Sequence, residues 1–308
     1  MKKITALLLS VVLLASFMLP AFAAGTDIVT PYEDSRFFEY GEYTVHYRVL
    51  EAENPVGQVF MIHGFALSSY CFTPLAAILQ ANGYTCVLAD LPDFGYSSRE
   101  TASTQKLPRE EIMHALMKYL SDDPWYLAGH SMGGYIAIAL AQKYPEDVKN
   151  LLLYGTAGNE PDTSSMTALM NNRAFISVMG PLMEIAGRST LLVKLLLTVA
   201  LGDIAYVRNY DISKITDPYK IKGTGAGALY SFSMLPDTDF DRLGELSPIL
   251  YINGSKDNVI PAADREKFRM YLPEGSRDIV VDGGAHMFIE NRAQETAQAT
   301  LEFLAENR

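Results

Sequence analysis

A serine flanked by glycines, in Gly129-His130-Ser131-Met132-Gly133, is the residue of this 308-residue chain best set to act as a nucleophile. The G-x-S-x-G pattern alone arises by chance about once in ten chains of this length, so its weight depends on what surrounds it. An apolar run, "WYLAGH", leads into it and a small-residue run, "GGYIAIALAQKY", leads out. That context predicts a sharp strand-to-helix turn, whose glycines keep side chains out of the neighbouring backbone and whose serine hydroxyl faces the positive end of the next helix.

Such a hydroxyl is a poor nucleophile until a base takes its proton. Of the five histidines, His46 falls in an early strand and His114 in a helix, which suits structural or surface roles. His130 adjoins the serine, where the turn points its side chain away, and His63 ends a strand. His286 follows the last expected strand in the glycine-rich "DGGAHMF", free to lean over the same sheet edge, and is the expected base. Its imidazole needs an orienting carboxylate. Asp257, in "YINGSKDNVIP", follows the penultimate strand at that edge, whereas the rival Asp282 would have to fold back from the end of its own strand. Asp90, in "LADLPDFGYSS", reads as a brace for the loop after its strand. An oxyanion formed during acyl transfer requires two donors. The turn itself offers the backbone N–H of Met132, and "HGF" at the end of the adjacent strand offers that of Phe65.

These residues need a frame that brings several strand ends together. "RFFEY" and "YTVHYRVL" predict a hairpin turning at Gly41, and "GQVFMIHG", "TCVLADLP", "WYLAGH", "VKNLLLYG", "SPILYING" and "SRDIVVDGG" predict buried strands. Helical patterns separate most of them, near residues 71–81, 108–120, 132–144, 262–271 and 292–307. Continuous apolar strands alternating with helices imply an α/β fold with a mostly parallel central sheet and helices on both faces. The interval 158–244 has no strand signal, is rich in Met and Leu, and starts where loops reach the ligand-binding edge; it reads as a helical lid insertion. The alternative is that these helices are ordinary core of an enlarged domain.

At the N-terminus, Lys2 and Lys3 precede an apolar run from Ile4 to Met18, then Pro20 and Ala21-Phe22-Ala23. This layout predicts a secretory signal over 1–23, cleaved near Ala23, rather than a retained N-terminal membrane anchor. The mature chain is then exported, whether secreted, periplasmic or at the cell surface, with no other span. It divides into a first core segment, 24–157, the insertion, 158–244, and a second core segment, 245–308. The formal charge of −11 argues against nucleic-acid partners, because an acidic surface repels phosphates. Cys71 and Cys86 are expected as buried free thiols. One opens a helix and the other lies early in the following strand, which puts them at opposite ends of an element about 15 Å long, beyond the roughly 7 Å a disulfide allows between Cα atoms. The histidines are not spaced as metal ligands and no cofactor is expected.

"HGF", "DLPDFGYS", "GHSMGG", "NGSKDNVIP" and "GGAHMFIEN", in nucleophile, acid, histidine order, make the chain similar to the α/β-hydrolase superfamily, in particular to lid-bearing esterase- or lipase-like members. The resemblance implies Ser131 as nucleophile, Asp257 and His286 as its partners, and hydrolysis of a small-molecule carboxylic ester. Serine at the nucleophile position departs from the aspartate of epoxide hydrolases and haloalkane dehalogenases. Phe65-Ala66 after Gly64 departs from the longer glycine motif of proline iminopeptidases, and Asp93 stands where many relatives have glycine. The Met- and Leu-rich insertion favours a lipophilic acyl or alcohol group, although core packing would explain the same composition. The same triad also serves C–C bond or amide hydrolysis, or perhydrolysis. A non-catalytic binding protein of this fold is the further alternative, against which an intact triad counts.

Overall fold

Eight runs of β-branched, aromatic and leucine side chains form strands in the computed structural model, which describes residues 31–99, 108–157 and 172–308. They are β1 (Ser35–Tyr40), β2 (Tyr43–Leu50), β3 (Gly57–Ile62), β4 (Tyr84–Ala89), β5 (Trp125–His130), β6 (Val148–Tyr154), β7 (Ile249–Gly254) and β8 (Arg277–Val281). The expected signal segment, 1–23, and residues 158–171 of the expected insertion lie outside the described residues. The principal helices are α1 (Thr73–Ala81), α2 (Arg109–Leu120), α3 (Met132–Lys143), α4 (Arg173–Arg188), α5 (Thr190–Leu201), α6 (Thr224–Tyr230), α7 (Ala262–Arg269) and α8 (Ala293–Glu306).

The strands make one sheet in the order β1-β2-β4-β3-β5-β6-β7-β8. Only the first two pairings are antiparallel, and every pairing from β4 through β8 is parallel. Side chains alternate across the sheet, so each central strand feeds two apolar layers. Phe60, Ile62, Leu127, Leu151 and Tyr251 pack with Ile112, Leu116 and Ile136 of α2 and α3. Val59, Met61, Ala128, Leu152 and Leu250 pack with Leu75, Leu79 and Phe303 of α1 and α8 on the other face. Each such fully buried side chain contributes roughly 1.5–3 kcal/mol relative to leaving it in water. Both faces are therefore covered, as the continuous apolar strands require.

The chain reverses its direction of travel across the sheet at β3, which lies between β4 and β5. Connections leaving β3 and β5 depart to opposite faces, and the crevice between such strand ends is where α/β sheets place ligands. Glycines are needed there because backbone meets backbone. A Cβ at Gly133 would lie 2.1 Å from the Ile62 carbonyl oxygen, so α3 sits against the end of β3 with no room for a side chain.

Between β6 and β7 the described residues are helical and contain no strand. Capping explains where the insertion helices begin. The Asn172 side chain accepts from the N–H groups of Ala174 and Phe175, that of Ser189 from Leu192 and that of Asp203 from Tyr206. Gly202, at φ +64°, ends α5 in the left-handed conformation. No described helix is long and apolar enough to cross a membrane.

The conformation of the loop after β4 turns on Asp93. Asp93 adopts φ +75°, a region an L side chain enters only at a cost, and its buried carboxylate holds the Arg109 guanidinium at 2.9 Å. Cys71 and Cys86 are free and buried, and burial raises both thiols above the usual range.

Three outcomes follow from this packing. Gly133→Ala is expected to cost at least about 1–3 kcal/mol through backbone overpacking, read as a fall of several degrees in the thermal midpoint. Gly244→Ala, where a Cβ meets nothing within 4 Å, is expected to change stability by less than about 0.5 kcal/mol. A chromogenic disulfide reagent should find no reactive thiol in the native chain and two after denaturation.

Candidate active site

Ser131 occupies the turn between β5 and α3 with φ +52° and ψ −116°, a conformation costing on the order of 1–3 kcal/mol for a residue with a side chain. The surroundings hold it there. Its N–H donates to the Tyr154 carbonyl at the end of β6 (2.9 Å), and its own carbonyl accepts from Gly134 N–H (2.9 Å). A Cβ at Gly64 would lie 3.2 Å from the Ser131 Cβ, so the "HGF" backbone passes directly beside the serine. Phe65 packs edge-on against Phe94, and Ala66 follows at φ +61°.

Asp257 and His286 come together from adjacent strand ends. Backbone bonds from Ser255 N–H to the Val281 carbonyl (3.0 Å) and from Lys256 N–H to the Gly284 carbonyl (2.8 Å) bind the two loops into one unit. The Asp257 Oδ2 then lies 2.9 Å from His286 Nδ1, while Oδ1 accepts from the N–H groups of Val259 (2.8 Å) and Ile260 (2.9 Å). Burial works to raise the Asp257 carboxyl, but the His286 contact and these two N–H donors outweigh it and hold the acid below the usual carboxylate range. An acceptor-only carboxylate at this nitrogen means that Nδ1 carries a hydrogen and donates it to Oδ2, leaving Nε2 as the other ring nitrogen. The His286 side chain is 10% exposed.

This imidazole stands beside the serine turn. A Cβ at Gly155 would lie 3.5 Å from His286 Nδ1 and 3.6 Å from Asp257 Oδ2, and Gly155 directly follows the residue whose carbonyl accepts the Ser131 N–H. His130 is fully buried, and its Nε2 donates to the His286 carbonyl at 3.0 Å while the two rings lie 4.9 Å apart. Burial, reinforced by the neighbouring His286, pushes His130 down to about 3. Nothing in the spacing of the sequence signals this support of one histidine by another.

The other candidates have structural partners. His63 Nδ1 donates to the Gly64 carbonyl (2.7 Å) and its Nε2 accepts from Leu91 N–H (3.0 Å); burial lowers its basicity. His46 Nδ1 meets Asp90 Oδ2 at 2.8 Å, and His114 Nε2 meets Asp147 at 2.7 Å. Asp90 also accepts from Ser69 N–H (2.6 Å) and Tyr96 N–H (2.8 Å), tying the loops after β3 and β4 together. Asp282 lies at the surface, 3.3 Å from the Ser255 hydroxyl.

A further tie escaped the sequence reading. Arg99, itself buried, donates to the Phe94, Gly95 and Ser97 carbonyls and reaches the insertion at Pro218 O and Thr224 Oγ1 (2.8 Å). Nearby, a cavity opens between the loop after β3 and the insertion, lined by Ala66, Leu67, Phe94, Lys214, Ile215 and Tyr219. Among the described residues no three His, Cys, Asp or Glu side chains converge as a metal site.

A family profile described as alpha/beta hydrolase fold matches residues 58–293 of the chain. Lipase 3 of Moraxella sp. (strain TA144) is 36% identical over 135 residues, which is 41% of this chain and 42% of that lipase. Lipase 1 of Psychrobacter immobilis is 37% identical over 112 residues, 35% of this chain and 34% of that protein. The match thus spans less than half the length of either relative. Among solved structures, a thermophilic esterase from Thermogutta terrifontis superposes with a TM-score of 0.66 at 23% identity, covering 86% of this chain and 94% of the esterase.

The burial of His130 has a measurable consequence. Its ring resonances should not titrate between pH 5 and 9 in NMR spectra of the folded chain. The folded pKa is lowered below the unfolded value, so the folded state binds fewer protons between pH 3 and 6.5. His130 should then contribute stability at pH 7 that is lost as pH falls below about 6.5. His130→Gln should flatten that part of the curve of thermal midpoint against pH.

Proposed function

The chain belongs to the α/β-hydrolase fold family, and from that premise we propose that it is an exported serine hydrolase that cleaves carboxylic esters through an acyl-enzyme on Ser131, His286 and Asp257. The observation that carries this reading is the Asp257–His286 contact of 2.9 Å at the same sheet edge as a serine held at φ +52°. Nε2 of His286 takes the proton as Ser131 Oγ attacks the ester carbonyl. Asp257, kept ionised by two backbone donors, stabilises the imidazolium that forms. The backbone N–H groups of Met132 and Phe65 receive the oxyanion; the first opens α3, and the second follows Gly64, whose backbone runs beside the serine. His286 then protonates the leaving alcohol, and water repeats the sequence in reverse to release the acid.

We take the helices after β6 as a lid over this edge. Ile215, Leu67 and Phe94 in the adjoining cavity wall favour an apolar acyl or alcohol group. The lipase names of the two sequence relatives and the signal-like N-terminus support the same assignment, an exported enzyme acting on a lipophilic ester.

The mature chain should hydrolyse p-nitrophenyl esters and take a covalent label from a fluorophosphonate probe. Ser131→Ala is expected to abolish the label and lower kcat roughly 10⁴–10⁶-fold, and Asp257→Asn to lower it roughly 10²–10⁴-fold. A chain inert on esters from acetate to palmitate, yet labelled at Ser131, would move the assignment to amides or C–C bonds. Absence of any Ser131-dependent label would remove the catalytic reading altogether.

A further inference from the structure

Glu290 is a buried acid that the reaction sequence above does not use. It lies four residues after His286, in the short helix Phe288–Asn291, and is 3% exposed. Its Oε1 accepts from the Tyr210 hydroxyl at 3.0 Å, while Oε2 has no hydrogen-bond partner among the described residues. Tyr210 belongs to the insertion between β6 and β7, so this contact joins the insertion to the segment that carries the base.

The contact belongs to a row of such joints. Met287 N–H, immediately after His286, donates to the Ala200 carbonyl at 2.8 Å, and Asn291 Nδ2 donates to the Leu201 carbonyl at 3.0 Å. Both acceptors lie in the last turn of α5, where carbonyls have no partner inside the helix. At Gly202 a Cβ would come within 3.0 Å of the Ala285 side chain, so the end of α5 meets the residue before His286 as closely as the one after it. His286 is thus held on three sides: through Nδ1 by Asp257, through its carbonyl by His130, and through the following N–H by α5.

We propose that Glu290 is a positioning residue for the hydrolysis assigned above: accepting the Tyr210 hydroxyl of the insertion, it seats the His286 segment against the end of α5. The groups facing it are uncharged or aromatic. Tyr210 and Tyr206 come from the insertion, and Tyr70 and Cys71 from the turn before α1; beyond them Asp211 and Arg48 act on Tyr70, and Lys214 lies over the Tyr70 ring at 5.9 Å. Among the described residues no cation pairs with the Glu290 carboxyl, whose one hydrogen-bond partner is Tyr210. Burial pushes Glu290 up to about 8, against a smaller opposing pull from the Tyr210 hydroxyl. The acid is therefore protonated at neutral pH. Ionisation above that value places an unpaired buried charge beside the seat of the base, which loosens the segment.

This inference rests on the hydrolase reading for its kinetic consequence but not for its structural one, and two measurements keep them apart. Hydrogen–deuterium exchange of the peptide containing Met287, corrected for intrinsic rates, should rise above pH 8 in the wild-type chain. In Glu290→Gln, which cannot ionise, it should stay flat from pH 7 to 9. On a p-nitrophenyl ester, wild-type kcat should fall above pH 8 by up to roughly tenfold per pH unit, the slope of a single proton, with KM little changed. Glu290→Gln should lose that limb. Tyr210→Phe removes the donor that favours the ionised form, so its limb should move to higher pH. The proposal is overturned if exchange and kcat keep the same alkaline limb in Glu290→Gln. If no ester is turned over but the exchange behaves as stated, the seat stands and the ester reading fails.

Discussion

The turn that carries Ser131 exists because two backbones touch. A Cβ at Gly133 would fall 2.1 Å from the Ile62 carbonyl oxygen, and one at Gly129 would fall 2.6 Å from the Gly133 carbonyl oxygen. Helix α3 can therefore start almost on top of β3, and the chain must reverse within one residue, which leaves Ser131 at φ +52°. The same closeness sets the "HGF" backbone beside the serine and fixes the depth from which His130 reaches the carbonyl of His286. Strain at the serine is tolerated because contacts on every side over-determine its position: Tyr154 accepts its N–H, and Gly64 leaves room for its side chain.

Around this contact the polar groups are buried and paired in chains. Asp90 collects His46, Ser69 N–H and Tyr96 N–H; burial works to raise its carboxyl, but these donors hold it well below the usual range. His63, held neutral by burial, joins the Gly64 carbonyl to Leu91 N–H and so fastens the end of β3 to the loop after β4. Arg99 carries the connection on to the insertion at Thr224. In such surroundings an unpaired group is costly, so these bonds hold the loops at the sheet edge to one another. The helical insertion is joined to the Ser131 edge of the sheet through Arg99 on one side, and through Tyr210 and the end of α5 on the other.

Much of this was legible in the residues. The eight strands and the helices between them follow from apolar runs broken by polar, glycine-rich turns, and their observed limits fall within a few residues of the expected ones. The sequence favours Asp257 over Asp282 because a residue just past one strand can face a histidine past the next. The structure places Asp257 2.9 Å from His286 and leaves Asp282 at the surface. The brace expected of Asp90 is present, whereas the conformation after it, open in the sequence because of Asp93, is settled by the Arg109 partner sixteen residues on.

The sequence by itself determined the order of elements, the strand-to-helix turn at Ser131 and the residue types available at the sheet edge, because these depend on local periodicity and on what glycine alone permits. Only the tertiary structure decided which buried polar groups meet. His130 under His286, Arg99 on Thr224 and Tyr210 on Glu290 join residues 156, 125 and 80 positions apart. No local pattern encodes such pairs: each partner is selected by desolvation, which forbids leaving any of these groups alone once the layers around them have closed.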